Sequence, residues 1–313
     1  CAVTMATGCS DDELQSTGNE VTFSASVSDS EPTSRAMYHS YWVSGNAVAV
    51  SDGTETKKYV ATNISSNVKA DLVPASGVTP FYWNKSGNAF DAWLKYTYTT
   101  THPSGQVHTM HTSYDTFADL DQDVFAYASG TYTRTNNAMT FYQQTARVTF
   151  QLYIDTKENA FSSAKDDITG LTVGSTGLYT KAKWTKPAAG ENYGKWDSYS
   201  TTAVITAPKG ESTEEFTRFK IMAIPRNYSG GVGINITTTN GNYTFRLPAS
   251  QTNWQAGTHY LYKLTLHAGF VELTDVKVTL DNYSENTDDL WQSVDPTVNG
   301  TVIDYTEGTG LFK

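Results

Sequence analysis

Cys9 carries the most specific chemistry in this sequence. It follows the small residues Ala6-Thr7-Gly8 and precedes an acidic run in Ser10-Asp11-Asp12-Glu13-Leu14. A peptidase with a narrow groove accepts small residues ahead of its cut. A cysteine left at a new N-terminus can then carry acyl chains that tether a soluble domain to a membrane without a spanning helix. Other candidate chemistry is thinner. His108-Thr109-Met110-His111 places two imidazoles three residues apart, in what reads as a polar loop, with no evident third ligand; surface histidines are expected. Asp119, Asp121 and Asp123 recur at a spacing of two, like part of a calcium loop, but the glycine and closing glutamate of that loop are missing. Asp166-Asp167 and Asp288-Asp289 read as solvated turn charges. No Gly-x-Ser-x-Gly elbow, phosphate loop or His-Glu-x-x-His pattern occurs, so the expectation is no enzyme, no cofactor and no metal.

The elements that must position such residues are strands. The 2 cysteines are Cys1 and Cys9, so the rest of the chain has neither a disulfide framework nor a catalytic thiol. No apolar run approaches the roughly 20 residues that span a bilayer as a helix. The formal net charge of −10 is spread along 313 residues, no basic patch gathers, and nucleic acid is not an expected partner. Val21-Thr22-Phe23-Ser24-Ala25-Ser26-Val27 alternates apolar and polar residues, as do segments 148–154, 234–237 and 276–280. Further strands are expected at 90–98, 124–132, 219–224 and 260–266, with short helical turns only at 119–125 and 157–164. Asn240-Gly241 is a strong signal for a hairpin with a type I′ turn.

The reading is an all-β protein of two β-sandwich domains, each of about seven strands. A polar, glycine-bearing stretch at 130–137 separates them. The expected organisation is a leader and first strand at 1–35, a first domain at 36–137, and a second domain with its tail at 138–313. The eight residues before Cys9 are too few for a charged segment plus an apolar core, so the chain is expected to begin inside a signal peptide.

Several motifs add a family resemblance. Ala6 to Cys9 resembles a lipobox, and the acidic run after it resembles the surface-export signal of lipoproteins in the Bacteroides group. Arg35-Ala36 leads into Gly45-Asn46-Ala47-Val48-Ala49-Val50, which resembles the Gly-Asp-x-Ile-Gly-Val stretch of fimbrillin-like pilins, with Asn46 in place of Asp. Segment 141–150, Phe-Tyr-Gln-Gln-Thr-Ala-Arg-Val-Thr-Phe, is similar to that family's Phe-x-His-x-Leu-Ala-x-Leu-x-Phe strand, with Gln143 for His. Trp254, Gly257, Tyr260 and Tyr262 match its Trp-x-x-Gly-x-x-Tyr-x-Tyr segment. The departures at Asn46 and Gln143 suggest a divergent branch.

The resemblance implies two tandem transthyretin-like β-sandwiches in an outer-membrane lipoprotein acylated at Cys9. An arginine-directed protease would cut between Arg35 and Ala36, and the protein would become a subunit of an extracellular fimbria. Cleavage would free the strand bearing Val21, Phe23, Ala25 and Val27. A strand from the next subunit, its partner, would fill the groove, and the tail residues Val298, Val302, Ile303 and Tyr305 are candidates to supply it. Host or bacterial surface ligands are further expected partners. Two plainer readings stay open: Arg35 as an exposed linker arginine, and the tail as a strand packing on its own domain. An alternative function is a surface lipoprotein that binds glycans by stacking exposed aromatics such as Trp83, Trp93, Trp184 and Trp196 on sugars. The competing assignment for those rings is core filling.

Overall fold

Residues that alternate in polarity along this chain form strands, and β-branched and aromatic residues crowd out helix. A computed structural model describes residues 19–27, 42, 44–65, 69–94, 104–158 and 160–280. In chain order the strands begin with β1 (Phe23–Val27), β2 (Ala47–Ser51), β3 (Thr56–Ser65), β4 (Lys69–Pro74) and β5 (Asn88–Leu94). Then come β6 (Gln106–Thr109), β7 (Ala126–Tyr132), β8 (Ala138–Gln143), β9 (Ala146–Ile154), β10 (Ile168–Thr185) and β11 (Lys195–Ala207). The series continues with β12 (Lys209–Ser212), β13 (Phe216–Ala223), β14 (Arg226–Asn227) and β15 (Val232–Thr238). It ends with β16 (Gly241–Leu247), β17 (Asn253–Trp254), β18 (Thr258–Leu266) and β19 (Val271–Leu280). Helix among the described residues is one α turn, α1 (Ala164–Asp167), and short 3-10 turns such as Phe117–Asp123 and Thr156–Glu158.

The chain divides into two compact units. The first contains segments 19–27, 42–94 and 127–141, and the second 104–126 and 142–280. This corrects the expected division in two places. Segment 104–126, expected in the first domain, belongs to the second, because β6 pairs antiparallel with β10 from Lys181↔Thr109 to Trp184↔Gln106. The changeover expected after residue 137 falls after Phe141, because the start of β8 pairs with β1 up to Val27↔Phe141.

In the first unit the strands run in the order β1-β4-β3-β2-β5-β7-β8, and β8 pairs with β1 to close a barrel. The hydrogen-bonded ladder of this unit returns to its own start. The second unit has two sheets, β11-β10-β15-β16 with β6 beside β10, and β12-β13-β9-β18-β19. One apolar core lies between them: Val148, Phe150, Ile221, Tyr262 and Leu264 from one sheet pack with Leu171, Val173, Ile234, Ile236 and Phe245 from the other. Central β9 is buried on both faces, since Arg147, Thr149 and Gln151 on its outer side are 3%, 2% and 1% exposed. Their neighbours across the ladder include Arg218 and Lys220, so long polar side chains roof that face.

Two turns show what the local sequence requires. The β15–β16 hairpin forms where Asn240-Gly241 predicts it, but the ladder closes at Thr238↔Gly241, leaving Thr239 and Asn240 as the loop. Asn240 is not in the left-handed region, so the turn is not the expected type I′; only Gly241 takes a positive φ, of 137°. In β10 the register slips between Val173 and Leu178, with Gly174 at φ 97°. A Cβ at Gly174 would lie 2.5 Å from the Leu178 side chain and 2.9 Å from the Ala203 carbonyl oxygen, so the bulge tolerates glycine alone.

Asp167, read as a solvated turn charge, is only 8% exposed. One carboxylate oxygen accepts the backbone N–H groups of Ser162 at 2.7 Å and Ser163 at 3.0 Å, and the other accepts the Thr239 hydroxyl at 2.8 Å. It ties the loop before α1 to the β15–β16 turn. The Ser163 N–H, foremost, holds the carboxyl below its usual range against the opposing effect of burial. A carboxyl depressed by folding stabilises fully above its unfolded pKa, and that stabilisation is lost as pH falls through the folded value. Urea melts of the wild type and Asp167→Asn between about pH 6 and about pH 2 should show the wild type more stable at the upper end, with the gap closing below about pH 4. A gap independent of pH would mean the carboxylate charge contributes nothing.

Candidate functional site

The alternation of segment 21–27 has a direct physical outcome. Val21, Phe23, Ala25 and Val27 are 0%, 1%, 1% and 7% exposed, all on the inner face of the first unit. β1 is held on both sides by unlike ladders. It runs antiparallel to β4, from Phe23↔Leu72 to Ser26↔Lys69, and parallel to β8, from Ser24↔Ala138 to Val27↔Phe141. Its approach is paired as well: the Val21 N–H donates to the Phe81 carbonyl at 2.8 Å, and the Trp83 N–H to the Asn19 carbonyl at 3.0 Å. On the β8 side the Asn137 side-chain amide donates to the Thr22 carbonyl at 2.9 Å.

Phe23 is the centre of this seat. Its ring lies 5.4 Å from that of Phe90, 5.5 Å from Tyr132, and 5.9 Å from both Tyr59 and Trp83, mostly edge to face. Edge-on contacts at these distances are favourable for aromatic quadrupoles. The seat is therefore a slot for one extended strand with an aromatic side chain at its second inward position. Because β1 is the first described strand, one cut in segment 28–41 separates it covalently from every other strand of the barrel.

The second unit explains two of the motifs singled out in the sequence. Gln144 is fully buried, and its side-chain oxygen accepts the Gly194 N–H at 2.8 Å and the Trp184 indole N–H at 3.4 Å. Its side-chain amide donates to the carbonyls of Tyr142 at 2.8 Å and Asn192 at 3.1 Å, while its own carbonyl accepts the Trp196 indole at 2.8 Å. In the Trp254 to Tyr262 segment the indole of Trp254 donates to the Tyr262 hydroxyl at 2.8 Å, both side chains being buried. Gly257 has φ 64°, and a Cβ there would meet the Tyr193 ring at 2.4 Å.

The remaining candidates fare differently. Cys9, Arg35, Ala36, Val298, Val302, Ile303 and Tyr305 lie outside the described residues, as do Asp288 and Asp289. His108 is not on the surface: it sits on β6 and packs against the rings of Phe125 at 4.6 Å and Trp196 at 5.4 Å. His111 pairs instead with buried Asp123 at 2.9 Å, and Asp123 also accepts the Tyr114 hydroxyl. Asp119 accepts the N–H and hydroxyl of Thr116. The two aspartates are engaged within the chain, and no cluster of three metal-ligating side chains occurs among the described residues. Trp83, Trp93 and Trp184 are 5%, 0% and 0% exposed, and Trp196 is half-buried on β11. Glycan binding through exposed aromatics is thereby overturned for these rings, which fill cores. Among the described residues no Tyr or Trp is exposed.

A seven-stranded barrel and a two-sheet unit define a two-unit all-β protein whose first described strand completes the barrel. The chain belongs to the fimbrillin-like family, whose model matches residues 34–282. Its fold is similar to that of a candidate cell adhesion protein of Bacteroides uniformis, with 18% identity and a TM-score of 0.63, covering 86% of this chain and 100% of that one. A candidate cell adhesion protein of Bacteroides ovatus is similar over 85% of this chain and 99% of its own, with 13% identity and a TM-score of 0.60. No curated protein matches.

Phe23→Ala should destabilise the first unit by about 3–5 kcal/mol, the usual cost of removing a fully buried aromatic side chain. Urea unfolding followed by aromatic fluorescence measures it. Ser24→Ala, on the outer face of the same strand, should change stability by less than about 0.5 kcal/mol.

Proposed function

We propose that this chain is a non-catalytic structural and adhesive subunit of a cell-surface fimbria. It is exported as a lipoprotein acylated at Cys9, cut between Arg35 and Ala36, and polymerised by replacement of β1. Its partners are further fimbrial subunits, and its location is the outer membrane and then the extracellular fimbria. Membership of the fimbrillin-like family supports the class of protein. The observation that carries the mechanism is the seat of β1: a complete inward face, two ladders, and a single covalent exit through segment 28–41.

Loss of β1 leaves the facing edges of β4 and β8 without their ladder partner and empties four inward positions. At about 1.5–3 kcal/mol for each large buried side chain, with Ala25 contributing less, the loss rivals a domain's net stability of about 5–15 kcal/mol. The opened barrel therefore takes up another strand in place of β1, because that restores both hydrogen bonds and apolar burial. The tail bearing Val298, Val302, Ile303 and Tyr305 is our candidate donor.

Brief trypsin treatment of the folded protein should cut after Arg35 before it cuts at Lys57, Lys58 or Arg147, which lie within β3 and β9. Protein beginning at Ala36 should then form ladders that resist sodium dodecyl sulfate, while uncut protein stays monomeric. Deleting segment 298–313 from the trimmed protein should abolish the ladders and leave the second unit folded. Trimmed protein with an intact tail that persists as a stable monomer would rule out strand replacement. Ladders that survive the deletion would place the donor elsewhere.

A further inference from the structure

The second unit carries an open pocket of about 430 Å³ between the 250–255 segment and the ends of β18 and β19. Its wall includes Gln251, Asn253, Gln255, Thr258, Tyr260 and Val278, and none of the described residues in the lining is charged. Thr252 and Trp254 are 0% and 1% exposed, whereas Gln251, at the end of a 3-10 turn, Asn253 on β17 and Gln255 just after it line the pocket. Asn253 and Gln255 are exposed and Gln251 half-buried. No protein group hydrogen-bonds any of these three carboxamides among the described residues.

Their backbone, in contrast, is fixed at every second residue by a buried tyrosine. The Tyr262 hydroxyl donates to the Gln251 carbonyl, and the Tyr260 hydroxyl donates to the Asn253 carbonyl at 2.8 Å and accepts the Gln255 N–H at 2.9 Å. Trp254 locks the register from behind through its bond to Tyr262. The row of amides is thus presented by a rigid frame, which lowers the ordering cost of binding. A second feature faces solvent: Val278, opposite Tyr260 in the β18–β19 ladder, is 55% exposed at the pocket wall.

We propose that this pocket binds a neutral saccharide. Each carboxamide offers a donor pair and an acceptor side by side, the complement of sugar hydroxyls that both donate and accept. The Thr258 hydroxyl and the tyrosine edge extend that set, and Val278 supplies apolar contact for the C–H face of a ring. Ligand pockets of this kind combine a few placed polar groups with an apolar wall in a few hundred Å³. The uncharged side chains of the described lining favour neutral ligands over sialylated, sulfated and phosphorylated ones, whose desolvation they would not offset.

The test is a glycan array that displays neutral hexose, N-acetylhexosamine and deoxyhexose chains beside sialylated and sulfated ones, probed with the full chain. Saturable binding to neutral chains is expected. It should weaken at least tenfold in Asn253→Ala/Gln255→Ala and in Val278→Asp, while melting curves stay those of the wild type because these side chains hold nothing in the fold. Binding to no neutral chain, binding confined to acidic chains, or binding unchanged in both variants overturns the assignment. A peptide library bound at this pocket in place of any sugar would overturn it equally.

Discussion

Closure of the first barrel rests on one short strand that has to satisfy two dissimilar neighbours. β4 offers β1 an antiparallel ladder and β8 a parallel one, so β1 must present its backbone groups in two different spacings at once. Its side chains are equally constrained. Ala25, across from Ala70 on one side and Met139 on the other, has room for a methyl group, whereas Phe23 fills a pocket made by four other rings. A one-residue slip would turn Thr22, Ser24 and Ser26 inward and Phe23 out to solvent, so register is fixed by burial as much as by hydrogen bonding.

The same constraint bears on what can replace β1. A substitute strand needs apolar residues at alternate positions, a large ring second among them and a small residue third. In the tail, Val298 and Val302 share one parity and Ile303 and Tyr305 the other, so no single register turns all four inward. Asp304 and Gly300 lie on the valine parity, Thr301 and Glu307 on the isoleucine parity. The Ile303-Tyr305 parity brings a ring and a β-branched residue to one face, which is closer to the pattern of Phe23 and its neighbours.

Much of this was legible in the sequence, for a specific reason. Inward positions of β1 and β15 announce themselves by alternation, because each of those strands has one face on the core and one toward polar surroundings. Pairing between distant strands left no such mark. Nothing in 138–141 signals a parallel partner at 24–27, and nothing in Gln106–Thr109 signals that it joins β10. His108 was misread for a related reason: a polar-looking neighbourhood in sequence becomes a buried aromatic cluster once β6, β10 and β11 lie side by side. Gln144 was counted as part of a strand motif, while its role as a fully bonded buried hub depends on partners 40 to 52 residues away. The amide row had a readable trace in the alternation of Gln251, Asn253 and Gln255 with Thr252 and Trp254, but polar and buried-polar residues alternate there in place of polar and apolar ones.

The division of labour between the units follows from which residues hold what. Every side chain that seats β1 belongs to the first unit, and every residue of the amide row and its tyrosine frame belongs to the second. Among the described residues the two sets have no member in common. That division matters for the strand replacement we propose for the first barrel. The cost of opening falls on the Phe23 cluster and the edges of β4 and β8. The second unit's core is pinned by Gln144 and by the Trp254–Tyr262 bond. The saccharide site we propose is lined by second-unit residues alone, so the strand replacement we propose would remove none of its lining.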